Sequence, residues 1–319
     1  MEFIIRQDGT VNYLGYVPNP EATDRFCNNL AKYGHEPDGS VIAAKLGDEK
    51  KDMVLYPFLM KAFPDWKAGV QALGDCVSFG SAHNTDVLMG VQAYFLNFPE
   101  DIFFQTCSEA AYGFMRCEIF GRNNNGGDGA NGGDAAESVM KFGTLHRTKY
   151  LNGKYDFTTY SGSKAKTYGR TGVPDDLEPL AKEHIVKTAT KVTNFDDAAK
   201  FIMNGYPILN AHGSNPTFTG TRDKDGYGRG SGASHCMNYI GVRWGAKPAL
   251  LKTNTGWNSS PVDGPMWPDN FPTALGRVAW WESAELCDYV LKGNDSFAYS
   301  DYKGFPKKNL PDYGTLTYL

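Results

Sequence analysis
QALGDCVSFGSAH, residues 71–83, sets one cysteine between an acid and a run of small residues, where the chain turns helical. Beyond it, Phe79, His83, Val87, Val91 and Phe95 recur at every fourth position. That spacing predicts a helix with one apolar stripe, and Pro99 is its expected stop. Cys76 therefore stands at the head of a buried helix. A thiol there has two readings. It is a small apolar core residue, or it is a nucleophile whose pKa is lowered by the helix N-terminus and by an imidazolium brought near.

Six histidines could supply that imidazole. His235 is best placed, because it opens a strand directly after the flexible GRGSGAS, residues 228–234. His83 lies on the apolar stripe and reads as a satisfied buried histidine. A nucleophile–base pair also needs a group that orients the ring through its other nitrogen. The strand after His235 turns at RWGAKP and returns to Asn254. Two neighbouring antiparallel strands would set Asn254, or its rival Thr253, beside His235.

Upstream, residues 1–65 carry a turn at PNPEATD and a helical stretch near DRFCNNLAKYG, and read as an arm. Downstream, GRNNNGGDGANGGDAAESVMKFG is a Gly/Asn loop feeding a short helix from about Asp134 that Gly143 ends. NFDDAAKFIMNG is a second helix, with Asn194 as N-cap and Gly205 as stop. Strand-like runs follow at YPILNAHG, CMNYIGV, PALLKTN and GRVAWW. A helical first half before a sheet-rich second half argues an α+β fold with two lobes. The expected divisions are an arm over 1–65, a helical lobe over 66–150, a β-rich lobe over 151–260 and a C-terminal extension over 261–319.

The 319 residues are 41% apolar and 21% charged, enough for a sizeable core. Net charge is −4 with the signs interspersed, which argues against nucleic acid as a partner. No apolar run approaches the ~18 residues of a membrane helix. MEFIIRQDG lacks the pattern of a signal peptide. The six scattered cysteines form no CxxC pair and read as reduced thiols. RDKDGYG and GGDGANGGD lack the spacing of a calcium loop, so no metal or cofactor is expected. A cytoplasmic or virion-associated protein is the expectation.

Taken together these segments resemble the papain family of cysteine peptidases over roughly residues 66–260. LGDCVSFGSA stands where the family's nucleophile box lies. GANGGDAAESVMKFG is similar to its Asn-Gly-Gly loop and helix, SHCMNYIGV to its histidine strand, and ALLKTNTGW to its Lys-Asn-Ser-Trp-Gly segment. The resemblance implies a helical lobe and an antiparallel β-sheet or barrel lobe with N- and C-terminal extensions. It implies Cys76 as nucleophile, His235 as general base and then acid, and Asn254 as the residue that fixes the ring. Gln71 and the Cys76 N–H would hold the oxyanion. Gly132, Gly133 and Ser234 would bind a polypeptide substrate.

The chain departs from that pattern in places. Gln71 lies one position closer to the cysteine than the family's glutamine, Val77 replaces an aromatic, Leu73 replaces a bridging cysteine, and the tryptophan is displaced to Trp257. The separations of His235 and Asn254 from Cys76 exceed the family's ~130–150 residues, an excess that extra loop residues near RDKDGYGRGSG accommodate. Two other functions compete. One is a papain-fold structural component of a larger assembly such as a virion, with neighbouring subunits as partners. The other is a peptidoglycan amidase, suggested by DCVSF.

Overall fold
The structure, a computed structural model, describes residues 2–96, 105–121, 127–259, 261–269, 271–293 and 295–311. The expected helix stop at Pro99, residues 122–126 of the Gly/Asn loop and residues 312–319 of the tail lie outside them.

The arm opens on a hairpin, β1 (Glu2–Ile5) and β2 (Val11–Leu14). α1 (Pro20–Lys32) follows, started by the Asn19 side chain accepting the Ala22 N–H and by proline at its first position. α2 (Gly39–Leu46), β3 (Met53–Val54) and α3 (Tyr56–Ala62) lead to α4 (Cys76–Leu96). Next come α5 (Ser108–Gly113) with a π-helical turn (Phe114–Ile119), α6 (Gly132–Lys141), the small hairpin β4 (Lys149–Tyr150) and β5 (Tyr155–Asp156), α7 (Gly162–Thr171) and α8 (Glu178–Ala181). The second half holds β6 (Thr188–Lys191), α9 (Phe195–Met203), β7 (Ile208–Thr217), β8 (Ser231–Arg243), β9 (Ala249–Thr253), α10 (Thr273–Gly276), β10 (Ala279–Ser283), α11 (Ala284–Leu291) and β11 (Ser296–Ser300).

The fold is α+β, as expected. Its main sheet runs β10-β9-β8-β7-β11-β6, with β3 also on β8, and every pairing is antiparallel. The segments read as arm and C-terminal extension are thus built into the sheet, through β3 and through β10 and β11. A separate cluster unites Cys107, Phe114, Phe142, Phe157, Tyr168 and Leu177 as the core of the helical part. The expected boundary near residue 150 falls inside that cluster.

Over residues 76–91 α4 is buried around its whole circumference, not along one stripe. Small residues make this possible. A Cβ at Gly80 would sit 2.8 Å from the Cys236 sulfur on β8, and one at Gly90 would sit 2.8 Å from the backbone of Leu59 in α3. The helix is therefore clamped between sheet and α3, which holds its first residue still. α6 begins two residues earlier than expected, because Asn131 accepts the Asp134 N–H at 2.8 Å. α9 has the Asn194 cap and the positive-φ Gly205 that the sequence predicts.

His83 is buried, as read, but it is not satisfied: neither ring nitrogen has a hydrogen-bond partner. Burial pushes its pKa down to about 3. The folded value lies below the unfolded ~6.5, so the stability of the neutral ring is fully present above pH 6.5 and is lost as pH falls toward 3. At ~1.36 kcal/mol per unit this amounts to about 2 kcal/mol by pH 5. His83→Phe will flatten the acid side of the stability curve by that amount, measured as urea midpoints between pH 5 and 7.

Candidate active site
Cys76 is the first residue of α4 and is 1% exposed. The backbone N–H groups of Cys236, Gly15 and Val77 face its sulfur. They favour a thiolate, yet complete burial outweighs them and pushes the thiol up to about 12. His235 lies on β8, fully buried, with its ring against Trp257 at 4.4 Å between centroids. Burial pushes it down to about 4, although its bond to Asn254 works the other way.

The β8–β9 hairpin brings Asn254 back to His235, and the two meet at 3.0 Å, Nε2 to Oδ1. An amide oxygen only accepts, so the neutral ring carries its proton on Nε2 and keeps a lone pair on Nδ1. That nitrogen is buried without a hydrogen-bond partner, so no bond to the Cys76 sulfur is formed in this state. Between the rivals for the orienting role, the fold brings Asn254 to the ring. The Thr253 hydroxyl oxygen is buried without a partner. The strand end is fixed by the Asn254 N–H donating to Val278 O at 2.8 Å.

Gln71 is held from the other side. Its segment is tied to the residues after Asn254 by Gly69 N–H to Thr255 O at 2.8 Å and Gln71 N–H to Gly256 O at 2.9 Å. Its side-chain Nε2 donates to Leu73 O at 2.9 Å and to Tyr13 O at 3.0 Å. Trp257 Nε1 donates to the same Tyr13 oxygen at 3.2 Å. Two donors thus converge on one carbonyl oxygen, the arrangement an oxyanion requires.

That oxygen belongs to the protein's own arm. Residues 13–17 cross the site as an extended strap. Gly15 O accepts from Ala130 N–H at 2.9 Å, and Val17 N–H donates to Ala130 O at 2.8 Å. The Ser234 hydroxyl donates to Tyr16 O at 2.7 Å. Gly15 lies so close to Gly74 that a Cβ would land on the Gly74 carbonyl. The strap turns the Gly15 amide N–H, a hydrogen-bond donor, to the sulfur.

Ser234 therefore meets an extended backbone, but Gly132 and Gly133 do not, and here the expectation needs correction. Their N–H groups form the first turn of α6 and donate to the Asp295 carboxylate at 2.7 and 2.9 Å. A Cβ at Gly132 would collide with the Asp295 carbonyl. The glycines serve close packing and an anion at a helix N-terminus, and the backbone pairing beside them falls to Ala130.

Sequence reasoning also missed three side chains that the fold brings in. Asp75, next to Cys76, is fully buried and accepts the Tyr160 hydroxyl at 2.8 Å. Burial raises its pKa well above the usual carboxylate range, which limits the negative charge beside the thiol. Asp295 arrives from the turn before β11. Only Asp75 had a local signal, as an acid immediately before a helix start. Among the described residues no cluster of His, Cys, Asp or Glu is arranged to hold a metal ion. The six cysteines are unbridged and buried. No described helix is long and apolar enough to cross a membrane.

Solved structures with a similar fold are papain-like cysteine proteases. Xylellain, a cysteine protease from Xylella fastidiosa, matches with TM-score 0.54 and 14% identity, over 91% of this chain and 96% of that one. The ragweed pollen allergen Amb a 11, a cysteine protease in its proform, matches with TM-score 0.48 and 12% identity, over 88% and 74%. Procathepsin L 3 of the Tenebrio molitor larval midgut matches with TM-score 0.45 and 10% identity, over 88% and 89%. No protein-family model matches the chain, and no curated protein matches its sequence.

Proposed function
We propose that this chain is a papain-like cysteine peptidase, held latent by its own arm. The observation that carries the reading is the 3.0 Å contact between His235 and Asn254, on a strand whose next residue, Cys236, turns its N–H to the sulfur of Cys76 at a helix tip. Nδ1 takes the thiol proton, and the sulfur attacks the carbonyl carbon of a polypeptide. Gln71, the Cys76 N–H and Trp257 Nε1 receive the negative charge that develops on the carbonyl oxygen. The imidazolium then returns the proton to the leaving amine, and water hydrolyses the thioester that remains.

The strap accounts for the unreactive protonation states. It seals the site from water, so both Cys76 and His235 are neutral near pH 7, with the thiol far above its ordinary value and the imidazole far below. Nothing in the site favours the structural-component or the amidase reading.

The test is labelling of Cys76 by a peptide-mimicking epoxide, read by mass spectrometry on the chain with its strap displaced. Stoichiometric modification of Cys76, absent in Cys76→Ala, is expected. His235→Ala should slow it roughly 10²–10⁴-fold, the range of general-base contributions. A strap-free, folded chain that no such reagent labels would overturn the reading.

A further inference from the structure
Tyr16 is the one large side chain that the strap sends into the protein beside the nucleophile. It is 7% exposed, and its hydroxyl bonds to Asp295, which is 4% exposed. The same carboxylate takes Gly132 N–H, Gly133 N–H and the Thr23 hydroxyl, the last at 2.9 Å. A carboxylate offers about four acceptor positions. Three are filled by donors of the fold, and the fourth by the strap. When the strap leaves, that fourth position is left unpaired at the floor of the vacated space.

From this we infer that the space held by Tyr16 is a specificity pocket, and that it selects substrates carrying a long side chain tipped with a hydrogen-bond donor, tyrosine first and arginine or lysine next. The inference rests on the peptidase reading and names its substrate class. The strap follows the course of a bound peptide: its backbone is paired with Ala130 on one side and Ser234 on the other, and its Tyr13 carbonyl sits on Gln71 and Trp257. Its one buried contact of charge and hydroxyl is therefore a template for a substrate side chain. Asp295 is a carboxyl group, so the position vacated by the Tyr16 hydroxyl accepts the donor of a cation as well as that of a phenol. A site built to hydrogen-bond a substrate hydroxyl discriminates strongly against the analogue lacking it, because its own buried group is then unpaired.

Three measurements test this. In the full chain, Tyr16→Phe keeps the ring and removes only the hydroxyl, and it should raise the alkylation rate of Cys76 about 10-fold. An unchanged rate overturns the inference. In the full chain carrying Gly15→Val, fluorogenic peptides scanned at each position should show, at one position, tyrosine favoured over phenylalanine and arginine over leucine by about 10-fold or more in kcat/KM. Equal rates overturn it. Finally, the peptide VNYLGYVPN, residues 11–19 of the chain, should protect Cys76 of that variant from alkylation about 10-fold better than its Tyr16→Phe counterpart. Differential protection without any peptide cleavage keeps the pocket and removes the peptidase reading. Cleavage with no tyrosine preference does the reverse.

Discussion
Replacing Gly15 with valine will raise the alkylation rate of Cys76 at pH 7 by roughly 10²–10³-fold, the gain expected when a thiol near 12 returns toward its ordinary ~8.5. The side chain has nowhere to go. A Cβ at Gly15 falls on the carbonyl of Gly74, a backbone atom that cannot rotate aside, so the strap must lift. With it go the cover over the sulfur and the desolvation that holds the thiol up to about 12 and His235 down to about 4. Loss of the Gly15 N–H contact acts in the opposite sense, since it removes a donor to the thiolate, but burial is the larger cause. The pH profile changes with it. In the parent chain the rate climbs through the alkaline range toward 12, whereas in the variant it levels off several units lower. Peptide mapping after iodoacetamide treatment gives the answer, and the other five cysteines are an internal control. All are buried, so their silence certifies that the variant is folded. A folded variant whose Cys76 reacts no faster removes the strap from the account.

Lys252→Met will cost about 3–5 kcal/mol of stability, the price of leaving one partner of a buried ion pair alone. Lys252 on β9 and Glu282 on β10 are both fully buried, 2.8 Å apart, and Lys252 also donates to Asn215 at 2.6 Å. With the lysine gone, Glu282 keeps, among the described residues, the Tyr239 hydroxyl and the weaker Cys287 thiol as donors. Neutralising the acid at the same time removes most of the penalty, so Lys252→Met with Glu282→Gln should be markedly more stable than Lys252→Met alone. Urea midpoints of the three proteins settle the coupling. If both are equally destabilised, the charge at Glu282 is not the cause. The pair also bears on the site, because Asn215 Nδ2 donates to the His235 carbonyl at 3.1 Å and ties the histidine strand to the bulge of β7.

What was legible in the sequence was local. The helix headed by Cys76 shows in the four-residue spacing from Phe79 to Phe95. The Asn194 cap and the Gly205 stop lie next to the helix they delimit. His235 and Asn254 belong to one hairpin, so a single turn suffices to bring them together. The strands least visible were β6, β11 and β3, short runs such as TATK and SFAYS whose place depends on partners far along the chain.

The sequence by itself determined an α+β chain with a thiol at a helix tip, an imidazole on a strand and an amide at the end of the next. Hydrophobic period, caps and hairpin contiguity all act over a few residues, and they point to those elements together. Only the tertiary structure decided who stands in the cleft. YLGYV carries no local mark of a strap, since its partners Gln71, Ala130, Ser234 and Trp257 are remote in sequence. Gly132 and Gly133 read as substrate contacts until Asp295, some 160 positions later, takes their amides. Protonation states belong to the same class, because burial is set by every segment that covers a group, and no short stretch of sequence records what will lie above it.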